Sequence, residues 1–344
     1  MEQLAYKLSI ALITFNGETF IKEQLDSILN QSIQNFELII CDDCSTDSTY
    51  KILSEYATTD QRIKLFLNES NLGFLKNLER AISLCTGEYI AFSDQDDIWE
   101  KDHLEVLLSN IEDNYLICGD SLFVNNDDNS IQIRSSKMYY MNIHSLKTNE
   151  QHFLRLLCME NIYQGAAMMV NRQFLDLTIP FPTDIKFHDI WFTLVAMAMN
   201  KFIYIPKVII QHRKHSKSVT GSLKATDMDL KISNSKKDYI SQLSKLHIPE
   251  TSKRIIEQVT IFFLHYESLI IHKSAINFWV SNYSILYATE NKKRLYYRFF
   301  KTFIYSFFTK YRRMTKKHLK RVFSFGKVHN NKFFMSIFLY VSIL

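Results

Sequence analysis

Glycine and proline are scarce in this chain of 344 residues, at 7 and 4 residues respectively. Such a composition excludes a collagen-like or linker-rich chain, and the sequence has no internal repeat of solenoid length. The longest uncharged apolar stretch, residues 333–344, is too short to cross a bilayer as a helix. No cationic segment followed by an apolar run opens the chain, so we expect no signal peptide. An apolar content of 47% supports one large domain with an appendage, or two domains.

Acidic residues are absent after Glu290. The 14 Lys and Arg residues beyond it leave 27 before it against all 36 acids, so the net charge is −9 up to residue 290 and +14 in 291–344. A basic tail rich in Tyr and Phe favours helices that lie on an anionic membrane surface. RNA binding is a competing interpretation without any recognisable nucleic-acid module, and we expect no nucleic-acid partner. Packing of the tail on the rest of the protein is a third alternative.

The five cysteines are an odd number, which without a signal peptide fits a reducing cytoplasm. Cys41 and Cys44 form a C-x-x-C pair. We interpret this spacing as coincidence, because no second pair completes a zinc site and the intervening Asp42 and Asp43 would raise a thiol pKa. The predicted location is cytoplasmic, peripheral on the inner face of the cell membrane.

Apolar runs and amphipathic segments alternate through the first hundred residues. Strands are predicted at 8–13, 36–41, 63–67 and 89–92, and helices at 18–29, 47–56 and 75–85. This β-α alternation predicts an α/β fold with a mostly parallel, Rossmann-like sheet, flanking helices and one ligand edge.

The pattern is less regular after Trp99. It predicts a helix to Ile111, strands at 115–117 and 166–170, a helix from His188 to about Asn200, and two paired strands at 202–205 and 208–211. From about residue 226 the pattern is helical. We therefore predict an α/β domain at 1–222 and a helical, basic-aromatic region at 223–344.

Carboxylates follow two of the predicted strands. Asp94, Asp96 and Asp97 follow one strand, and Asp42 and Asp43 follow another. Because parallel strands end at one edge of a sheet, these side chains are expected to gather there. Asp-x-Asp suits a divalent cation that takes oxygen ligands and bridges to phosphates. The alternative is a solvated acidic turn that caps the next helix.

Cationic residues near the predicted edge leave two interpretations open. Lys76 and Arg80 lie one helical turn apart and could reach phosphate oxygens. The pattern indicates a solvent-exposed helix face, without a ligand, at least as strongly. His212 and His215 have a spacing that could hold zinc. Their basic neighbours, Arg213, Lys214 and Lys217, favour an anion instead, and His212 reads as structural.

Several segments together resemble inverting glycosyltransferases of family 2, which have the GT-A fold. The segments are 9–17, 24–31, 40–47, 71–73 and 86–99. Gln164-Gly165, His188-Asp189 and His215 are similar to the rhamnosyltransferase-like branch of that family. The resemblance is densest over residues 7–100 and covers roughly two-thirds of the chain.

The resemblance implies a nucleoside diphosphate sugar donor at the strand edge. Donor-binding residues would be Thr14, Phe15, Asn16, Asp43, Lys76 and Asp94. Asp43 would bind the base or ribose beside Phe15, and Asp94 would bind ribose or a metal-bound water.

The resemblance also implies a metal and a base. Asp96 would coordinate Mg²⁺ or Mn²⁺, with help from His215. Asp189 would be the catalytic base, although a simple helix N-cap is its alternative. His188 stands where the family usually has Glu, and we favour a structural or acceptor-side role for it.

Two other functions compete with sugar transfer to a glycan or glycolipid acceptor. A sugar-phosphate nucleotidyltransferase would want a Gly-rich, basic loop after the first strand, and residues 14–18 offer neither property. A non-catalytic scaffold that binds nucleotide sugars would not need the full set of carboxylates.

Overall fold

The structure is a computed structural model that describes residues 7–125, 132–137, 143, 146–149, 152–153, 156, 161–215 and a few residues between 238 and 249. All of them belong to the first of two units into which the chain divides, residues 1–253. The predicted boundary near 222, the basic tail and Cys158 lie outside the described residues. None of the helices in the described part of the chain combines the length and hydrophobicity needed to cross a bilayer.

The first hundred residues fold as the alternation predicts. Strands β1 to β4 are Leu8–Thr14, Glu37–Asp42, Ile63–Leu67 and Tyr89–Ser93, and helices α1 to α3 are Ile21–Leu29, Thr49–Thr59 and Phe74–Leu84. The four strands are parallel, in the order β3-β2-β1-β4. Every residue of β1 and β2 is buried, as expected for parallel strands covered on both faces. The loops after β1, β2 and β4 therefore lie at one edge of the sheet.

The remaining elements extend this sheet. They are β5 Ile98–Trp99, α4 His103–Asn110, β6 Leu116–Asn125, β7 Gln132–Arg134, β8 Met168–Asn171, α5 Arg172–Thr178, α6 His188–Ala198 and β9 Phe202–Lys214. The sheet continues β4-β8-β6-β9-β5, with β7 beside β6. The long ladders, including β6 with β9, are parallel, whereas those of β5, β7 and β8 are short and antiparallel. The predicted α/β class with a mostly parallel sheet is confirmed.

The prediction of two paired strands at 202–205 and 208–211 is wrong. Both runs belong to the single strand β9, which pairs with β6 and not with itself. The register moves from Gly119 opposite Ile205 to Asp120 opposite Val208, so Pro206 lies in a bulge. Because proline has no N–H to donate, a bulge is where a strand tolerates it. Pro206, which separates the two predicted runs, therefore marks a bulge within one strand and not a turn between two strands.

Helix α6 is buried around its whole circumference except at one residue. Ten of its eleven residues are buried, and Asp189 in the first turn is the exception. A helix that is apolar all round belongs to the core, so a carboxylate on it needs an explanation.

Candidate functional site

The acidic turn, residues 94–97, follows β4 and is tied to the end of β1. Gln95 accepts a hydrogen bond from the Phe15 amide at 2.8 Å and donates one to the Phe15 carbonyl at 3.1 Å. A Cβ at Gly17 would lie under 3.0 Å from the Gln95 side chain, closer than real Cβ atoms come. Glycine at position 17 therefore lets the loop after β1 and the acidic turn approach each other.

The end of β9 holds the acidic turn from the other side. Arg213 donates from Nε to the Asp96 carbonyl at 2.6 Å and from Nη2 to the Asp97 carbonyl at 3.3 Å. Its Nη1 pairs with Glu23 at 2.6 Å, and its guanidinium lies 4.8 Å from the centre of the Phe20 ring. Arg213 is only 5% exposed, so it is part of the framework of the site.

Two histidines of the same segment meet carboxylates of the turn. His212 Nδ1 lies 2.9 Å from an oxygen of the fully buried Asp97. His215 Nε2 lies 2.9 Å from Asp96 Oδ2, and its ring stacks on Phe20 at 4.4 Å. Asp96 and His215, both predicted metal ligands, are therefore in direct contact, and the end of β9 with the residue after it brings both histidines to the acidic turn.

The carboxylates raise each other's pKa. Burial and then the charges of Asp97 and Asp96 raise the pKa of Asp94 well above its usual value, and burial and Asp97 raise the pKa of Asp96. Burial opposes a charge on His212, but Asp97 and the neighbouring carboxylates raise its pKa to about 9. A site with this much unneutralised carboxylate charge is suited to a cation.

Asp189 belongs to the same electrostatic site, since its charge contributes to the raised pKa of Asp94. Its Oδ1 accepts from the Ile190 amide at 2.7 Å, and its Oδ2 accepts from Asn161 Nδ2 at 2.7 Å. Burial raises the pKa of Asp189 to about 7. The N-cap of α6 is Phe187, so Asp189 is not the simple N-cap of the alternative interpretation. A carboxylate with this pKa is matched to proton transfer near neutral pH.

His188 turns away from the carboxylates into an aromatic cluster. Its ring lies 5.4, 5.7 and 5.8 Å from the rings of Phe74, Phe92 and Phe192. Burial lowers its pKa to about 3, so the imidazole is neutral. Its Nε2 has no hydrogen-bond partner among the described residues. Of the structural and acceptor-side roles predicted for His188, these surroundings support the structural one.

Thr14 and Asn16 join the loops after β1 and β2. Thr14 donates to Asp42 Oδ2 at 2.7 Å, and Asn16 Oδ1 accepts from the Thr46 amide at 2.8 Å. Asn16 has a left-handed backbone with φ of 51°, a conformation that Asn tolerates better than most residues. Phe15 between them is 45% exposed at the mouth of the site. Of the three predicted donor-binding residues in this segment, Thr14, Phe15 and Asn16, Phe15 alone presents an exposed apolar surface.

Asp43 forms a second cluster at the same sheet edge. Its Oδ1 accepts from the Leu72 amide at 2.8 Å and from Asn68 at 2.6 Å, and its Oδ2 accepts from the Gly73 amide at 2.9 Å. Asp43 therefore holds the loop before α3, and its contacts lie on the β3 side of the edge rather than at the acidic turn.

Lys76 lies on the solvent-exposed side of α3. Its side chain is 63% exposed and pairs with Glu79 at 2.6 Å. Arg80 instead donates to Asn68 and supports the Asp43 cluster. In the structure, Lys76 has the surroundings of a solvated helix face, the alternative that the sequence left open.

The geometry at Asp96 and His215 fits a divalent cation. Adjacent ligands of an octahedral ion with bonds of about 2.1 Å lie roughly 3 Å apart, close to the 2.9 Å between these two atoms. Within the described residues, no three His, Cys, Asp or Glu side chains form a group that could hold a metal by themselves. Two protein ligands, with the rest from phosphate and water, is the arrangement that Mg²⁺ prefers.

Sequence reasoning missed three residues of this site. Gln95 and Asn161 are uncharged and belong to no spacing pattern, so nothing in the sequence marked them. Arg213 was noted only as part of a basic loop, and its role depends on a strand pairing that the sequence did not predict.

Comparison with known proteins adds an independent line of observation. Residues 9–176 match the family model described as "Glycosyl transferase family 2", a match just under half of the chain. It includes β1 to β8, the acidic turn and Asn161, and it ends before α6.

Two curated relatives each match less than a third of the chain. TuaG, a glycosyltransferase of Bacillus subtilis, is 40% identical over 98 residues, which are 28% of this chain and 39% of TuaG. WfgD of Escherichia coli, a UDP-Glc:alpha-D-GlcNAc-diphosphoundecaprenol beta-1,3-glucosyltransferase, is 39% identical over 105 residues, 30% of this chain and 40% of WfgD. The chain thus spans about two fifths of the length of each.

Two solved structures share the fold over a longer range. TarS of S. aureus in complex with UDP-GlcNAc has a TM-score of 0.56 at 21% identity, covering 76% of this chain and 73% of that chain. The mannosyltransferase PcManGT of Pyrobaculum calidifontis, in complex with GDP-Man and Mn²⁺, has a TM-score of 0.56 at 18% identity, covering 82% and 81%. At these identities the likeness establishes the fold, which is GT-A.

Proposed function

We propose that this chain, of which residues 9–176 match the family model of glycosyl transferase family 2, is an inverting glycosyltransferase that moves a sugar from a nucleoside diphosphate donor to a hydroxyl of a glycan. The observation that carries this proposal is Asp189. It is half-buried on a helix whose ten other residues are buried, its partial burial raises its pKa to about 7, and it interacts with Asp94 of the acidic turn.

Asp189 is the proposed general base. Inversion by single displacement needs one carboxylate that takes the proton of the attacking hydroxyl, and no carboxylate nucleophile. The acceptor oxygen then bonds to the anomeric carbon as the bond to the diphosphate oxygen breaks. Asp189 holds the released proton, and the diphosphate leaves with the bonding electrons.

Asp96 and His215 are the proposed holders of Mg²⁺ or Mn²⁺. When bound there, the cation would neutralise charge on the departing diphosphate. PcManGT, which was solved in complex with GDP-Man and Mn²⁺, supports this choice of ion. Asp94, Asp97 and His212 set the surrounding charge, and Arg213 keeps the turn in place.

The donor is proposed to lie between the acidic turn and the Asp43 cluster. The exposed ring of Phe15 would lie beside the nucleobase of the donor, and Asp43 orders the loop at 71–73. Thr14 and Asn16 shape the loop that carries Phe15, and Lys76 could reach phosphate only by leaving Glu79. Rhamnose, from the resemblance to the rhamnosyltransferase-like branch, is the sugar that we propose to test first.

The acceptor is proposed to be a lipid-linked glycan of the cell surface. WfgD, whose name specifies a diphosphoundecaprenol-linked acceptor, supports this class. The basic tail, residues 291–344, is the proposed contact with the cytoplasmic face of an anionic membrane, where such an acceptor would be reached.

The base is tested with Asp189→Asn, compared with Asp176→Asn, an exposed carboxylate on α5. dTDP-rhamnose, UDP-glucose, UDP-GlcNAc and GDP-mannose are screened with Mn²⁺ for hydrolysis, and the fastest becomes the working donor. We expect Asp189→Asn to lower the hydrolysis rate about 10²–10⁴-fold with donor affinity unchanged, because water also needs a base. The wild-type hydrolysis rate should decrease as the pH is lowered below about 7, because Asp189 must be ionised to accept a proton.

Asp176→Asn should keep the wild-type rate and pH profile. No hydrolysis of any of the four donors by wild type would favour the scaffold function. Hydrolysis by Asp189→Asn at the wild-type rate would remove Asp189 as the base.

The metal role is tested with Asp96→Ala, compared with Asp113→Ala, an exposed carboxylate before β6. Asp96→Ala should lose Mn²⁺-dependent binding of UDP, measured by titration calorimetry with and without EDTA, because half of the protein's ligand pair is gone. Asp113→Ala should bind as wild type does. We expect Asp96→Ala to bind UDP with the same affinity in Mn²⁺ and in EDTA. If Mn²⁺ still strengthens UDP binding by this variant, Asp96 is not a metal ligand.

A further inference from the structure

The carboxylate of Asp189 is held by donors from two different elements. One is the Ile190 amide of its own helix, and the other is the side-chain amide of Asn161, which lies outside α6. Each oxygen therefore accepts one hydrogen bond from the protein and keeps lone-pair capacity for a hydroxyl. The contact from Asn161, at 2.7 Å, is short for an N–H donor, as expected when the acceptor is charged.

Asn161 is itself held in one orientation. Its Oδ1 accepts from the Tyr163 amide at 2.9 Å, and its Nδ2 donates to the Tyr163 carbonyl at 3.0 Å as well as to Asp189. An amide has two N–H donors, and both are used. Exchanging the oxygen and nitrogen would place two N–H groups against each other at Tyr163 and two acceptors against each other at Asp189, so the NH₂ group must face the carboxylate.

The support behind Asn161 is a buried aromatic cluster. Tyr163 is fully buried, its ring lies 5.3 and 5.9 Å from the rings of Phe202 and Tyr204 of β9, and its hydroxyl lies 2.7 Å from His152 Nδ1. A residue packed in this way cannot move without disturbing the core. The orientation of Asn161, and through it that of Asp189, is therefore fixed by packing.

We propose that Asn161 is the positioning residue of the catalytic base: its amide aims the Asp189 carboxylate at the acceptor hydroxyl and favours the ionised form. This inference rests on the proposed function of Asp189. Asn161 does not touch substrate in this role and acts only through Asp189. A neutral donor suits the task, because a cation at the same place would lower the basicity of the carboxylate much further.

Other groups also act on the charge of Asp189. His212 on β9 favours the ionised form, whereas Asp94 after β4 opposes it. The Cys118 thiol on β6 and the Tyr239 hydroxyl also lie within electrostatic reach, and both carry a raised pKa that keeps them neutral near pH 7. On α6 itself, His188 is neutral. None of these groups is changed by a substitution at Asn161, so the shift that follows can be assigned to the amide.

The experiment compares Asn161→Ala and the isosteric Asn161→Asp with wild type, Asp189→Asn and Asn30→Ala, an exposed residue after α1. Hydrolysis of the working donor with Mn²⁺ is followed from pH 5.5 to 9, and donor affinity is measured by calorimetry. Asn161→Ala should slow hydrolysis at pH 7 at least tenfold and move the acid limb of the rate profile up by about one pH unit, since a hydrogen bond to the charged form is lost. Asn161→Asp should move the limb further, because a second carboxylate faces Asp189.

Donor affinity should stay within twofold of wild type in both variants. An unshifted acid limb in both variants would overturn the inference, and so would a loss of donor affinity that matches the loss of rate, which a merely structural role predicts. If Asn161→Ala does not fold, the result for the isosteric Asn161→Asp decides. Wild-type hydrolysis by Asp189→Asn would end both the proposed function and this inference, whereas an inactive Asp189→Asn with unaltered Asn161 variants would end the inference alone.

Discussion

At the scale of single residues, the position of Asp189 depends on a glycine in another element. Gly165 opens the short 3-10 turn before β8, and a Cβ there would lie under 3.0 Å from His188 Nε2. The His188 ring is packed among three phenylalanine rings and has little room to retreat. The close approach of this turn to the first turn of α6 is what brings Asp189 next to its partners.

Gly165→Ala is expected to destabilise the protein by about 1–3 kcal/mol and to slow donor hydrolysis, because the added methyl group displaces His188 and with it the start of α6. Urea unfolding and the hydrolysis assay measure the two effects. His188→Ala on the Gly165→Ala background should restore part of the lost room. The free energies of unfolding should therefore be non-additive by more than about 0.5 kcal/mol, and strict additivity would contradict the proposed overlap.

At the scale of elements, the end of β9 supplies side chains that contact the acidic turn. β9 carries His212 and Arg213 to the acidic turn, and His215 follows directly after the strand. Strand β9 reaches the turn because it runs parallel to β6 through the bulge at Pro206. Arg213 links three elements, since it binds the turn after β4, Glu23 of α1 and the Phe20 carbonyl.

Arg213→Ala is expected to cost about 3 kcal/mol of stability, because it leaves buried carbonyl groups of the acidic turn without their donor. It should also weaken Mn²⁺-dependent UDP binding, because Asp96 is no longer held against His215. The matched control is Arg134→Ala, an exposed arginine of β7, which should change neither property. Urea unfolding and calorimetry are the measurements, and a stable Arg213→Ala with wild-type UDP binding would show that the turn is held by other contacts.

At the scale of the whole molecule, charge is divided along the chain. Residues up to 290 carry −9 and residues 291–344 carry +14. The acidic part up to residue 290 would be repelled by an anionic membrane surface, and the basic tail would be attracted to it.

The full-length protein is expected to sediment with vesicles that contain anionic phosphatidylglycerol and not with neutral phosphatidylcholine vesicles. Raised salt should weaken the association, because it screens the charges. A variant without residues 291–344 should stay in the supernatant yet still hydrolyse the working donor. Sedimentation of that variant with anionic vesicles at the level of the full chain would refute the role of the tail.

The sequence by itself determined the elements β1 to β4, their helices and the placement of carboxylates at strand ends. These features follow from the spacing of apolar residues, which is a local property of the sequence. It also marked Asp96 as one of the carboxylates that follow an apolar run, whereas Asp189 and His215 were marked by the resemblance to family 2 glycosyltransferases.

Only the tertiary structure decided which of these residues meet and what surrounds each carboxylate. The pairing of β9 with β6, the contact of Asp96 with His215 and the support of Asp189 by Asn161 join positions far apart in the chain, and no local period encodes them. The same holds for the raised pKa of Asp189, since burial depends on every neighbour that excludes water from the carboxylate. Sequence patterns report short-range preferences, whereas the chemistry of this site comes from long-range packing.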